Sequence, residues 1–124
     1  MLRSSWEYSV ARYLDENAHV LAWSSEPVSI PYRNPLTGKH TIYVPDFLVV
    51  YERNGKKFAE MIEVKPAKEV PGMIVEKKMS PRTKAAQIVN AAKWQAAIAF
   101  CNKRHIKFRV LTEVDLYLFK RTGK

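Results

Sequence analysis

The stretch Val44-Pro45-Asp46-Phe47-Leu48-Val49-Val50-Tyr51-Glu52-Arg53-Asn54-Gly55-Lys56-Lys57-Phe58-Ala59-Glu60-Met61-Ile62-Glu63-Val64-Lys65 decides the fold. Two β-branched and aromatic runs flank Asn54-Gly55, the strongest short-range hairpin dipeptide, because both residues tolerate the positive φ of a type I′ turn. A turn centred there sets Arg53 opposite Lys56 and, counted outward, Asp46 opposite Glu63. Directly opposed residues have Cβ atoms roughly 4.5–5.5 Å apart. Strand alternation puts Met61, Glu63 and Lys65 on one face, while Ile62 and Val64 turn the other way and feed the core. Two adjacent carboxylates repel, and a cation between them removes the penalty. Hard oxygen donors of this kind suit Mg²⁺ or Mn²⁺ rather than zinc.

A Glu-x-Lys on a strand is, taken alone, an ordinary surface ion pair worth roughly 0–1 kcal/mol. The opposed Asp46, the preceding Pro45 and the charge of the chain favour a site instead. Net charge is +9 with a pI near 9.8. Such a balance favours a polyanionic partner, since neutralising phosphates drives nucleic-acid affinity; a basic protein that is merely soluble is the alternative.

With 124 residues, of which 47% are hydrophobic and 27% charged, residues 1–124 make one globular domain rather than a disordered chain. Cys101 is the sole cysteine, which excludes an internal disulfide and a cysteine-based zinc site. It falls in an apolar helical pattern and is expected in the core. His19, His40 and His105 lack ligand-like spacing. No apolar run approaches the roughly 20 residues of a membrane span, and no signal-peptide core is present, so an intracellular location is expected.

Outward from the hairpin, Ser4-Ser5-Trp6-Glu7 with Val10, Tyr13 and Leu14 predicts an amphipathic helix over about 4–17. Glu7 has two readings there: it closes a capping box with Ser4, or it reaches a site on the sheet from the border of the buried stripe. Val28–Tyr32 reads as an edge strand interrupted by Pro31, and Thr41–Tyr51 as one long strand broken mainly by Pro45. Phe58–Lys65 is the returning strand. Pro66 to Pro81 reads as a mobile, mildly basic loop that orders over substrate. Thr83–Lys103 reads as a helix with Ala85, Ile88, Val89, Ala92, Ala96, Ala99 and Phe100 on its buried stripe. Gln87 and Gln95 are ordinary helix formers there, and Lys84 and Lys93 are solvent or phosphate contacts. Trp94 reads as core. His105–Leu111 is a further strand, and Thr112 caps a last helix through Leu118. The expected class is α/β, with a mixed central β-sheet flanked by helices in the order α-β-β-β-α-β-α.

Pro45-Asp46, then Glu63-Val64-Lys65 across a hairpin, then a helix and a strand, resembles the PD-(D/E)XK nuclease superfamily. Glu7, within Arg3-Ser4-Ser5-Trp6-Glu7, looks like its additional acidic residue. Pro45-Asp46-Phe47-Leu48 and Phe108-Arg109-Val110-Leu111-Thr112-Glu113 resemble the nuclease subunit of heteromeric bacterial transposases and the head-completion nucleases of tailed phages. The resemblance runs from about Arg3 to Leu118.

It implies a restriction-endonuclease-like core and a Mg²⁺-dependent phosphodiesterase acting on DNA, with Mn²⁺ as substitute. Asp46, Glu63 and the Val64 carbonyl would bind metal, with Glu7 completing the shell. Lys65 would orient or deprotonate the attacking water and offset transition-state charge. A bound metal would supply phosphate polarisation and a more acidic water. Gln87 is the nearest counterpart of a Gln that family members carry on the following helix, although its local sequence matches poorly. The chain has only the nuclease core and no room for the transposase subunits' partner-binding C-terminal domain, which implies a free-standing role such as a phage nuclease in DNA packaging, head completion or recombination. Host cytoplasm or the virion would then be its location, and a phage head or packaging assembly its partner. A core of this size cuts one strand, so double-strand cleavage would call for a homodimer or two encounters. The competing readings are a non-catalytic DNA-binding or capsid-associated module with the same fold, and an RNA nuclease.

Overall fold

The computed structural model describes residues 5–71 and 79–115. Helix α1 (Ser5–Glu16) buries Glu7, Val10, Ala11 and Leu14 along one stripe. It stops at Asn17, whose side-chain oxygen accepts from the His19 amide at 2.8 Å while its carbonyl accepts from Val20. That Asx turn feeds strand β1 (Val20–Ser25). Strands β2 (Ile30–Arg33) and β3 (His40–Tyr43) form a separate two-stranded sheet. Strands β4 (Phe47–Arg53) and β5 (Lys56–Val64) follow, then a 3₁₀ turn (Ala67–Glu69), helix α2 (Pro81–Asn102) and strand β6 (Lys107–Leu111).

The Asn54-Gly55 turn forms as the sequence requires, with φ of 54° and 78°. Its register runs from Arg53↔Lys56 out to Phe47↔Ile62. The main sheet has the order β1-β4-β5-β6, antiparallel except for the β5–β6 pair. A parallel pair needs a long crossover, which α2 supplies. Ser80 accepts from the Thr83 amide at 3.1 Å and Pro81 opens the helix, a start in which the missing proline N–H costs nothing.

Both faces of the sheet are covered, as is usual where helices flank parallel strands. On one face Val10, Ala11 and Leu14 of α1 pack on Phe47, Val49, Ile62, Val64 and Leu111. On the other, Trp94 and Ala97 of α2 meet Ile30, Tyr43, Phe108 and Val110. This is a restriction-endonuclease-like α/β architecture with a mixed sheet.

Several expectations need correction. Strand β1 was not foreseen: Val20-Leu21-Ala22-Trp23 has no clean alternation, because a register shift between Val20 and Ala22 breaks its pairing with β4. The expected single strand from Thr41 to Tyr51 is two strands in different sheets, separated where Val44-Pro45-Asp46 leaves one ladder and enters the other. The buried stripe of α2 is Asn90, Trp94, Ala97 and Cys101, whereas Ile88 and Ala99 are exposed. Alanine-rich helices hide their true face, because small residues occur all round. His105 precedes β6, in a positive-φ turn after α2. Pro66 to Pro71 is a docked turn rather than a mobile loop, while residues 72–78 lie outside the described residues. So do the capping partner Ser4 and the expected last helix beyond Asp115; its start is present, with Thr112 accepting from the Val114 amide at 3.3 Å.

Gly55→Ala has open space around a new Cβ but must adopt φ near +78°. It should cost about 1–2 kcal/mol in a denaturant melt, and an unchanged midpoint would show that the turn does not rely on that conformation.

Candidate active site

Asp46 stands one residue before β4 and Glu63 one before the end of β5. The observed register carries both to the same level, on the face turned from α1 and towards α2. Each is only 4% exposed. The backbone there is pinned on all sides. The Asp46 carbonyl accepts from the Glu26 amide at 2.9 Å, and its Oδ2 accepts from the Val64 amide at 2.8 Å. Lys65 donates its amide to the Leu111 carbonyl at 2.9 Å, so β6 fixes the strand end that carries the lysine. Beyond it, the 3₁₀ turn is tied by Ala67 N–H to Glu113 Oε1 (2.8 Å), by Gln87 Nε2 to the Lys68 carbonyl (2.7 Å) and by Asn90 Nδ2 to the Glu69 carbonyl (3.0 Å). Gln87 thus braces the segment after Lys65. Glu113 does the same, a role the sequence did not suggest.

Lys65 Nζ lies 4.0 Å from Glu63 Oε2, and its side chain remains partly open to solvent. Glu63 Oε1 is buried with no hydrogen-bond partner. The Tyr43 hydroxyl and the Trp94 indole N–H share that condition, and both belong to the core cluster beside it. Burial, and secondarily the charge of Asp46, pushes the Glu63 carboxyl up to about 8, against a partial offset from Lys65. Burial next to Glu63 likewise raises the Tyr43 hydroxyl well above its usual value, so it stays protonated. Lys93 places its ammonium 5.6 Å from the centre of the Tyr43 ring, so α2 brings a cation to the edge of the site. Tyr43 and Lys93 are neighbours that sequence reasoning missed or left generic. An aromatic in a β-rich run reads as plain core, and only the fold shows which carboxylate it meets.

Glu60 shows what a satisfied buried carboxylate looks like in the same strand. Tyr51 donates to it at 3.3 Å and Arg109 pairs with it at 3.6 Å. Glu63 has no such set, and an orphaned oxygen opposite a second carboxylate fits a hard divalent cation. Among the described residues no three His, Cys, Asp or Glu side chains converge as a ligand group. The carboxylate donors that come together are therefore Asp46 and Glu63, with the Val64 carbonyl next in the chain. Glu7 is buried in the first turn of α1, on the helix that covers the opposite face. The C-terminal half of α1, with Tyr13, Leu14 and Asn17, lines a cavity with Tyr51, Arg53 and Glu60. Its first turn accordingly lies towards the Asp46–Val64 end of the sheet.

The family model described as TnsA-like endonuclease N terminal matches residues 17–113, a span that includes Asp46, Glu63 and Lys65. The chain belongs to that endonuclease family. It is also 36% identical over 121 residues to the head completion nuclease of Enterobacteria phage T4, covering 92% of this chain and 79% of that protein. Among the described residues no helix is long and apolar enough to cross a membrane.

Glu63 gives the site a pH dependence of defined sign. Its folded pKa of about 8 exceeds the ordinary 4.5, so between those values the folded chain holds a proton that the unfolded chain releases. Metal-free protein should lose stability as pH rises from 4.5 towards 8, and Glu63→Gln should flatten that trend. Calorimetric melts of both proteins across this window check it; parallel curves would contradict the assignment of the shift to Glu63.

Proposed function

We propose that this endonuclease-family chain is a Mg²⁺-dependent DNA nuclease, with Mn²⁺ as a substitute, centred on Asp46, Glu63 and Lys65. The observation that carries the reading is the buried, opposed Asp46–Glu63 pair with an unpartnered Glu63 oxygen. Asp46, Glu63 and the Val64 carbonyl would hold the ion, and Glu7 would complete the shell from α1. A bound dication reverses the electrostatics that keep Glu63 protonated, and supplies a polarised phosphate and a more acidic water.

The chain's own residues then act as follows. Asp46 and Glu63 position the ion and, through it, the scissile phosphate. Lys65, anchored at its backbone but free at its head, orients the attacking water and offsets charge that builds on the phosphate oxygens as the P–O bond breaks. Tyr43, held protonated, faces Glu63 and favours one orientation of its carboxylate. One such centre hydrolyses one strand, so cutting a duplex through takes two copies or two encounters.

The biological setting is proposed as phage head completion, supported by the 36% identity to a phage head completion nuclease. DNA is the proposed substrate because the chain carries +9 net charge and belongs to an endonuclease family.

A cleavage assay on supercoiled and linear DNA with Mg²⁺, Mn²⁺ or EDTA tests the reading, with matched RNA as comparison. Asp46→Asn and Lys65→Ala should each lower nicking by about 100-fold or more, while retention of DNA in gel shifts stays near wild type. Folded wild-type protein that binds DNA but never cuts it with any divalent metal would point to a binding module. Preferential cleavage of RNA would overturn the substrate class.

A further inference from the structure

The β2–β3 hairpin is outside the main sheet, yet its root lies at the site. Ile30 and Tyr43, paired across its base, are buried against α2 in the cluster that contains Trp94 and Ala97. Asp46 follows Tyr43 by three residues. From that root the ribbon projects outward by roughly 15 Å, given about 3.3 Å per strand residue.

Its two faces differ. Ile30, Tyr32 and Tyr43 turn inward to the core. Pro31, Arg33, His40 and Ile42 are paired on the outward face and all are exposed, with Ile42 at 58%. At the tip Leu36 is 53% exposed, beside Lys39. An apolar side chain in that position would be hidden or replaced if water were its permanent surroundings and the tip were a passive turn.

The tip is also rigidly built. Asn34 N–H donates to the Lys39 carbonyl at 2.9 Å, and Gly38 N–H to the Asn34 carbonyl at 2.7 Å. The Leu36 amide donates to Asn34 Oδ1 at 2.8 Å, the Lys39 amide to Thr37 Oγ1 at 3.2 Å, and Arg33 Nε to the Gly38 carbonyl at 3.1 Å. Gly38 takes φ of 73°, which a side chain would strain. Leu36 is therefore presented in a fixed place, at little entropic cost on binding.

Charge selects the occupant. Residues 27–45 contain no Asp or Glu, while Arg33, Lys39 and His40 lie within them. The nearest carboxylates in the chain are Glu26 and Asp46. A major groove about 12 Å wide admits a two-stranded ribbon, whose cations then meet the phosphates and whose apolar tip meets base edges.

We propose that the β2–β3 hairpin is a duplex-DNA arm that enters the major groove beside the scissile phosphate. Arg33 and Lys39, joined by His40 when protonated, seat on the backbone, and Leu36 packs against base edges. The proposal rests on the nuclease reading for the placement of the cut, but its test does not use cleavage.

Duplex DNA binding is measured in EDTA across a salt series, so that no strand is cut. Arg33→Ala with Lys39→Ala should weaken binding about tenfold or more at physiological salt and flatten the slope of log affinity against log salt by about 2, one per phosphate released. Leu36→Ala should weaken binding severalfold and leave that slope unchanged, because no counterion is involved. Thermal melts and Mn²⁺ affinity equal to wild type establish that fold and site are intact in each variant. Wild-type affinity and slope in the folded variants would overturn the arm, and would leave the hairpin as a surface for some other partner. Loss confined to duplex RNA would overturn its assignment to DNA. Failure of wild type to cleave, by contrast, bears on the nuclease reading and leaves these binding results interpretable.

Discussion

Everything at the site depends on one constraint, the register of the β4–β5 hairpin. A strand's side chains alternate, so a slip of a single residue would send Asp46 and Glu63 to opposite faces of the sheet. The positive φ values at Asn54 and Gly55 select a two-residue turn and thereby the pairing from Arg53↔Lys56 to Phe47↔Ile62. Phe47 and Ile62 then lock that pairing from below, since both are buried under α1. Turn chemistry and core packing agree on a single register, and the carboxylates inherit it.

The same packing makes the site electrostatically expensive. Burial raises Glu63 to about 8 beside a second carboxylate, and the neighbouring Tyr43 hydroxyl, Trp94 N–H and Glu63 Oε1 lack partners. A fold selected for stability alone would satisfy those groups, as it does for Glu60 through Tyr51 and Arg109 in the same strand. The contrast between these two glutamates separates a structural carboxylate from one kept available for a ligand. Around that unsatisfied centre the backbone is tightly held: β6 fixes Lys65, and Gln87, Asn90 and Glu113 fix the turn beyond it. Such preorganisation is what charge stabilisation in a reaction requires.

The hairpin, its register and the Asp46, Glu63 and Lys65 set were legible in the sequence, because turn dipeptides and period-two alternation act locally. The placement of Cys101 and Trp94 in the core was legible for the same reason, from apolar helical spacing. Strand β1 was not, since a bulge disturbs its alternation and its pairing partner is distant in the chain. The buried face of α2 was misread because alanines occupy every side of the helix, and only the contact with β2 and β3 selects Asn90, Trp94, Ala97 and Cys101. Tyr43 and Glu113 act through partners brought close by tertiary structure, for which a single sequence has no signal. Glu7 remains the residue whose two readings were open: it is buried at the site end of α1, outside any converged group of three ligands among the described residues.

The central claim is that the opposed carboxylates exist to hold a divalent cation. Anomalous diffraction from crystals soaked in Mn²⁺ tests it most directly, without reliance on substrate. The account predicts a peak between Asp46 and Glu63 within ligand distance of the Val64 carbonyl. Crystals saturated with Mn²⁺ but without density between those carboxylates, or with the ion bound elsewhere, would contradict it.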